Sequence, residues 1–541
     1  MKKVWFLVPL YLFPIVYLFV LAGSFHSLLR ATLLHYVIFI IFGIFLSFLL
    51  VKATKNIKNQ ETKKIIFVTI SGLIILYALF LLLMTMSRFV NFVSEAIDVE
   101  YYHFTIWQLA NFKTPLIWEG SNIPVWSQHF EPILFFLVPI YWIIKSTTLL
   151  MAIQALIVIS GAIPIYLSAK EYLKSRFLGL GLAFAYLSFG GLQFGFAYGF
   201  HPIMFFPTIF IWAYYFYIRK NLKLYYIFIV LSLFVKEEAA FIVLFWSIYL
   251  LIFKRDRQIA IISGVLSIIW YLLCFNIIFP HYNNGNGFVY WGQYNQQEGT
   301  GIAGVVKFAF LKPFDFIATL FSPGYKIDMM LATFGSFSFL LFLHPPSLLI
   351  IIPSLAEKLL SSGIAGANGT HYSAAITGVT VVATIESIAY IIKSKYLHNI
   401  IIDRKRFLGF LIFFLAFSST VFFGYIGYSP LPSSRNSIYE AGLTNDNENL
   451  LLQIIGSIPE TASVSAQYQI APHINKPLDK IKSGPTENEK SDYVIVDTQL
   501  HPVLTTGKEL NNRLEELNNN KDYEIIINSL GIVVYKSVNY K

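Results

Sequence analysis

One cysteine, Cys274, stands in 541 residues, and charged side chains make up only 13% of the chain. A single thiol excludes an intramolecular disulfide framework, thiolate zinc sites and paired-cysteine redox chemistry. Soluble domains carry roughly 25% charged residues, so the shortage of charge excludes a water-soluble globular enzyme and a charge-rich disordered chain. The 32 glycines and 22 prolines follow no collagen-like period. No internal repeat, Walker loop or dinucleotide glycine motif is present. What fills the chain instead is apolar: 56% hydrophobic residues, 17% aromatic, and a mean hydropathy of +0.62. That composition belongs to a polytopic membrane protein.

The net charge is +10, but it is unevenly spread. Residues 430–541 carry ten Lys/Arg against fourteen Asp/Glu, so the remainder is the more basic part. Its cations sit in five short clusters: Lys52 to Lys64, Lys170 to Arg176, Arg219 to Lys223, Lys254 to Arg257, and Lys393 to Arg406. Clustered loop cations in a membrane protein encode orientation, which argues against nucleic-acid binding and assigns these loops to the cytoplasm.

A spanning helix needs about 20 mostly apolar residues. Such runs occur at 4–22, 31–51, 65–87, 148–168, 177–197, 258–279, 372–392 and 407–428, with shorter or polar-broken candidates at 203–218, 223–235, 239–253, 328–344 and 346–361. The first run follows Lys2 and Lys3 but precedes no clear cleavage site, so it reads as a retained helix. Residues 132–144 are also apolar, yet too short to cross. Counting them as a span would put the 170–176 cluster outside, so they read as an interfacial or re-entrant helix. The expectation is an all-α bundle of about 13 spans in the plasma membrane, with a cytoplasmic N-terminus and an external C-terminus.

The domain plan that follows is N-terminal helices over 1–87, an external loop with a juxtamembrane helix over 88–147, and a bundle over 148–429 with an external loop at 280–327. A small external α/β domain occupies 430–541. That last segment opens with a Pro/Ser linker, SPLPSSRNS. Apolar runs at Ser463–Ser465, Tyr493–Asp497, Tyr523–Asn528 and Gly531–Tyr535 then alternate with helical patterns at Glu448–Ile458 and Gly507–Asn518.

Ionisable groups at membrane depth are costly and need a partner or a task. Five groups stand out, all on the expected external side. Asp98-Val99-Glu100, with Tyr101, Tyr102, His103, Trp107 and Gln108 behind it, offers two carboxylates at i and i+2 that can share a divalent ion or act as a base; the plainer alternative is a capped loop start. Gln128-His129-Phe130-Glu131-Pro132 precedes the interfacial helix, where Glu131 and Pro132 also suit a helix start. Phe200-His201-Pro202 offers a histidine that is either a turn cap or a ligand. Lys236-Glu237-Glu238 interrupts two apolar runs and is either a plain turn or a phosphate site. Asn368-Gly369-Thr370-His371-Tyr372 combines a sequon with a histidine able to close the same pocket. Glu386 is an acid inside a span, either paired or lining a cavity.

The order Asp98, Trp107, His129-Phe130-x-Pro132, Phe200-His201-Pro202, Lys236-Glu237-Glu238 and His371-Tyr372 resembles a family of uncharacterised prokaryotic multi-pass membrane proteins that is itself similar to the C-type (GT-C) glycosyltransferases. The tail continues the resemblance through Ser463-Val464-Ser465-Ala466-Gln467, Pro472-His473 and Asp492 to Asp497. The resemblance implies a GT-C-like enzyme that takes a sugar from a polyprenyl-phosphate-linked donor and gives it to an external glycan, lipid or protein acceptor. It implies Asp98 as the catalytic acid residue, with His129 and Glu131 beside it. His129 and Lys236 become candidates for the donor phosphate, Glu237 and Glu238 for orienting Lys236, and Glu100, Trp107, His201 and His371 for the substrate. Glu100 and Glu131 replace a glycine and a serine common in that family, which leaves a divalent metal possible and no cofactor firm. The competing readings are a transporter or lipid scramblase, against which stands the lack of inverted repeats, and a non-catalytic scaffold with an external binding domain.

Overall fold

The computed structural model describes residues 27–55, 57, 59–92, 96–117, 121–294, 299, 301–361, 371–394, 403–426, 446–474, 480–484, 490–500 and 507–540. The expected first span at 4–22, the Pro/Ser linker and the Asn368-Gly369-Thr370 sequon lie outside the described residues. The chain is mostly helical, with one small sheet near its C-terminal end.

Five described helices are long and apolar enough to cross a membrane alone: Leu34–Thr54, Gln60–Val90, Thr147–Tyr172, Arg257–Tyr282 and His371–Lys393. A sixth forms if Arg176–Ser188 and Gly190–Phe196, bent by 54°, count as one. Their outward faces carry Val68, Leu73, Ile75 and Leu83 on Gln60–Val90 and Ile261, Ile268 and Ile269 on Arg257–Tyr282, all exposed, as a lipid-facing surface requires. The His371–Lys393 helix is central: 89% of its apolar window is covered by protein, against 17% for Gln60–Val90. Small residues allow that packing. A Cβ on Gly378 would stand 2.8 Å from the Cα of Pro207.

The weaker candidates form shorter pieces. Pro202–Ile218, Leu222–Val235 and Ala239–Lys254 are apolar helices of less than spanning length. The 328–344 and 346–361 runs break into Tyr325–Ser336, the 3-10 turns Leu340–Leu343 and Pro345–Ile350, and Ile352–Leu360. Prolines at 345, 346 and 353 remove the donors a continuous helix needs. Thirteen spans is therefore a finer count than these helices bear. Residues 132–144 form a 3-10 turn, Pro132–Leu137, continued by the helix Val138–Ile143. Its inner side is buried, and Phe135, Phe136, Trp142 and Ile143 are exposed on the other. Both sides are therefore apolar, one covered by protein and the other left open.

The five basic clusters meet at one end of the bundle. Arg406 donates to the Thr54 carbonyl at 3.2 Å and Lys405 to that of Lys174 at 3.2 Å. Arg219 pairs with Glu171 at 3.4 Å and Lys220 with Asp256 at 3.5 Å. Lys254 pairs with Glu386 and donates to Tyr172 at 2.9 Å, over whose ring Lys393 also stands. Glu386 is therefore a paired acid and lines no open cavity. Tyr214 and Tyr249 add hydroxyl donors to it at 2.9 and 3.3 Å.

The tail folds into a five-stranded sheet in the order β2-β1-β3-β5-β4: β1 Val464–Ala466, β2 Ile481–Ser483, β3 Tyr493–Asp497, β4 Tyr523–Ser529 and β5 Ile532–Ser537. β1 pairs in parallel with β2 and β3, while β5 runs antiparallel to β3 and β4. β3 is buried along its whole length, and the Gly507–Asn519 helix covers it with Leu510 and Leu517. The short strand β2, whose apolar content is one isoleucine, has no counterpart in the sequence reading. The tail packs on the end of the bundle opposite the basic clusters, where Thr147 donates to the Pro472 carbonyl at 2.7 Å.

Removing Glu386 takes the ion-pair partner from the half-buried Lys254 ammonium and leaves the hydroxyls of Tyr172, Tyr214 and Tyr249 without their shared acceptor. Breaking a buried pair from one side costs about 3–5 kcal/mol. Glu386→Ala is expected to lower the thermal unfolding midpoint of detergent-solubilised protein markedly, and Glu386→Gln, which keeps an acceptor oxygen, to lower it less.

Candidate functional site

Two segments 108 residues apart are locked together by one carboxylate. Glu237, 2% exposed, follows the Leu222–Val235 helix, whose last residue hands over to an extended Lys236. Its Oε1 accepts from His129 Nδ1 at 2.8 Å and its Oε2 from the Phe130 amide at 3.1 Å. The 125–131 turn is thereby fixed to the 236–238 turn. Burial works against the Glu237 charge, but His129 and Lys236 overcome it and hold its carboxyl below the usual range. Burial and the neighbouring Lys236 lower His129, and the Glu237 carboxylate oxygen makes Nδ1 its donating nitrogen. The other face of its ring stacks on Tyr290, with centroids 4.8 Å apart.

Lys236 is 5% exposed and lies 3.5 Å from Glu238. Burial alone would lower it, but Glu238 and Glu237 reverse that and keep it protonated. Its ammonium stands 5.8 Å from the Tyr372 ring centroid, a cation–π contact. Next to Tyr372, the His371 ring stacks on His201 at 3.4 Å. His201 Nε2 then reaches Asp98 Oδ2 at 3.2 Å. Tyr102 closes the circle. It meets His201 edge-on at 5.7 Å and donates to Glu131 at 3.2 Å. Asp98, His129, Glu131, His201, Lys236, Glu237, Glu238 and His371 therefore gather in one hollow at the tail end of the bundle.

Within it the carboxylates differ in access. The Asp98 side chain keeps 36% of its exposure, against 3% for Glu237. Glu131 is 1% exposed, and its second oxygen has no hydrogen-bond partner among the described residues. Burial pushes it up to about 8 despite Lys236. Glu131 therefore sits beneath the hollow as a neutral acid at pH 7, and Asp98 is the carboxylate open to a reacting molecule.

Two expectations need correction. Glu100 does not face the hollow. Residues two apart on a helix point about 200° apart, so Asp98 turns inward while Glu100 turns to the tail and accepts from Ser483. The pair cannot share an ion, and among the described residues no three His, Cys, Asp or Glu side chains converge as metal ligands. Trp107, nine positions from Asp98, also lies on the far side of that helix. It stacks on Phe104 at 5.9 Å under Lys113.

The hollow opens into a cavity of about 290 Å³ whose walls include Phe241, Phe245, Phe275, Ile302 and Ile352. Lys236, Glu238 and His129 stand at its polar part, with Tyr290 and Tyr294 beside them. Glu357 also lines it, pushed up to about 8 by burial and by Glu238. Sequence reading passed over Glu357 because 346–361 reads as a span, although an acid–lysine dipeptide in an apolar run is the signal that singles out Lys236. It passed over Gln154 as well. Gln154 accepts from the His201 amide at 2.6 Å and donates to the Gly199 carbonyl at 2.7 Å, fixing the turn that aims His201.

Glu131 gives a pH signature. Its carboxyl is raised from 4.5 to about 8, so the folded chain holds a proton that the unfolded chain gives up. Stability contributed by the neutral acid is full below about pH 4.5 and falls until about pH 8. Glu131→Gln, a mimic of the neutral form, is expected to unfold at a higher temperature than wild type at pH 9 by the equivalent of a few kcal/mol, and at nearly the same temperature at pH 4.5. Thermal unfolding across this pH range checks it.

Among curated proteins none matches the chain at a significant level. Among solved structures, the chain is similar to ArnT from Cupriavidus metallidurans bound to undecaprenyl phosphate, at 10% identity and a TM-score of 0.43, over 89% of this chain and 99% of that one. The apo state of the same protein gives 10% identity and a TM-score of 0.39, over 88% and 98%. A family model described as "Predicted membrane protein (DUF2079)" matches residues 109–534, beginning after Asp98 and Glu100. The match takes in most of the chain and the greater part of the hollow, and the protein belongs to that family of membrane proteins.

Proposed function

We propose that this protein is a membrane glycosyltransferase that moves a sugar from a polyprenyl-phosphate-linked donor to an acceptor at the external face of the plasma membrane. The observation that supports the reading is an apolar cavity with the buried, protonated Lys236 at its polar part, linked through Tyr372, His371 and His201 to an accessible Asp98. Transfer from a lipid phosphate needs those three things: a greasy place for the chain, fixed positive charge for the leaving group, and a base for the acceptor.

The chemistry balances simply. Asp98 takes the proton of an acceptor hydroxyl as that oxygen bonds to the anomeric carbon. The bond from that carbon to the phosphate oxygen breaks, and its electrons stay on the phosphate, whose charge Lys236 offsets. His201 stands beside Asp98, its Nε2 3.2 Å from Oδ2, and the His371 ring stacks on His201. Glu237 and Glu238 hold Lys236 in place, and His129 is fixed by Glu237 at the polar part of the cavity. The meeting of the five basic clusters at the opposite end supports the sidedness. With those loops cytoplasmic, the hollow and the tail face outward.

The decisive variant is Asp98→Asn, which keeps the shape and removes the base. It is expected to reduce sugar transfer from a lipid-linked donor by about 10²- to 10⁴-fold, with membrane abundance unchanged. Undiminished transfer would reject the reading. Orientation has a separate check. Phe112, exposed near the interfacial helix, is a position for a labelling thiol, since the native Cys274 is buried. Phe112→Cys is expected to react with an impermeant maleimide added outside intact cells. Reaction only after permeabilisation would turn the hollow toward the cytoplasm and remove the proposal.

A further inference from the structure

We infer that the C-terminal sheet domain is the positioning element for Asp98, and that Glu100, Ser483 and His473 are the residues through which it acts. The inference rests on the reading of Asp98 as the base.

The Ala96–Ala110 helix carries Asp98 on one face and Glu100 on nearly the opposite one. Asp98 enters the hollow, while Glu100 accepts a hydrogen bond from the Ser483 hydroxyl at the end of β2. β2 is an edge strand, paired in the sheet with β1. The next grip lies just before the helix. His473 stacks on Phe89 at 4.4 Å and lies tilted against Phe92 at 4.1 Å, at the end of the long Gln60–Val90 helix. Burial pushes His473 down to about 3, so the ring is a neutral plug. The third grip lies beyond the loop, where Thr147, at the start of the next spanning helix, donates to the Pro472 carbonyl at 2.7 Å.

The tail thus holds the base-bearing helix from behind and the bundle on both sides of the first external loop. On its other side the helix is fastened to the interfacial helix, by His103 to the Tyr141 hydroxyl at 2.7 Å and by Trp142 to the Ala110 carbonyl at 2.8 Å. Those ties act on the middle and far end of the helix. Its start, which carries Asp98, is held from the bundle side by His201 and Tyr102 and from the tail side by Glu100. A domain that only covered the hollow would have no reason to place a hydrogen-bonded carboxyl behind the base. Small displacements of a reacting group cost about 10²-fold in rate, so this tie bears on turnover rather than on substrate binding.

The full-length protein, purified in detergent, tests this with two readouts. Hydrogen exchange over residues 96–110 reads the tie without reference to activity, and steady-state transfer with a lipid-linked sugar reads its effect. Ser483→Ala and His473→Ala are both expected to raise exchange in 96–110 several-fold while exchange in 374–393 holds. Both are expected to lower kcat by about 10- to 100-fold with the KM for donor nearly unchanged. Glu100→Gln keeps an acceptor oxygen toward Ser483 and is expected to restore wild-type behaviour in both readouts. Unchanged exchange in both alanine variants would overturn the inference, and so would raised exchange with unchanged kcat. If Asp98→Asn keeps full transfer, the reading of Asp98 as base falls on its own, and the exchange data still decide whether the tail holds the helix.

Discussion

Glu237 joins what the chain separates. Taking a carboxylate out of water costs several kcal/mol unless it is paired and fully hydrogen-bonded, and Glu237 meets that demand only because two segments approach together. His129 and the Phe130 amide supply its donors, and Lys236 supplies the compensating charge one residue away. The interfacial helix after Pro132 and the turn between two apolar helices are consequently set against each other. The rest of the hollow is built on that frame: Tyr102 reaches Glu131 across it, and Lys236 is aimed past Tyr372 toward the stacked histidines.

The same rule operates at the opposite end with a different result. Glu386 is as deeply buried as Glu237, but its partners leave no room beside it. Lys254 and three tyrosine hydroxyls saturate both oxygens. A saturated charge fastens helices. A charge network with spare capacity, such as Asp98 beside His201, can meet a reacting molecule. This difference in satisfaction separates Glu386 from Asp98, since both are ionisable groups inside a greasy chain.

Much of the architecture could be read from residues. Apolar length gave the long helices, the shortness of the 132–144 run gave a helix too short to span, and apolar runs alternating with helical patterns gave β1, β3, β4 and β5. Rare charges in a greasy chain pointed to most of the hollow, because a buried ion must be compensated wherever it lies. What stayed hidden depends on three-dimensional facing. Asp98 and Glu100 are neighbours in sequence yet point into different compartments, a consequence of helical rotation that a D-x-E pattern does not display. Glu357 was masked by the apolarity of its surroundings, and Gln154 by being uncharged. The breaks at 345–353 follow from prolines whose effect on a span depends on packing as much as on sequence.

The helix over Pro132–Ile143 presses Phe135, Phe136, Trp142 and Ile143 outward while its first residues adjoin His129 and Glu131. His129 and Glu131 are its covalent neighbours, so any shift of that apolar strip is passed straight into the hollow.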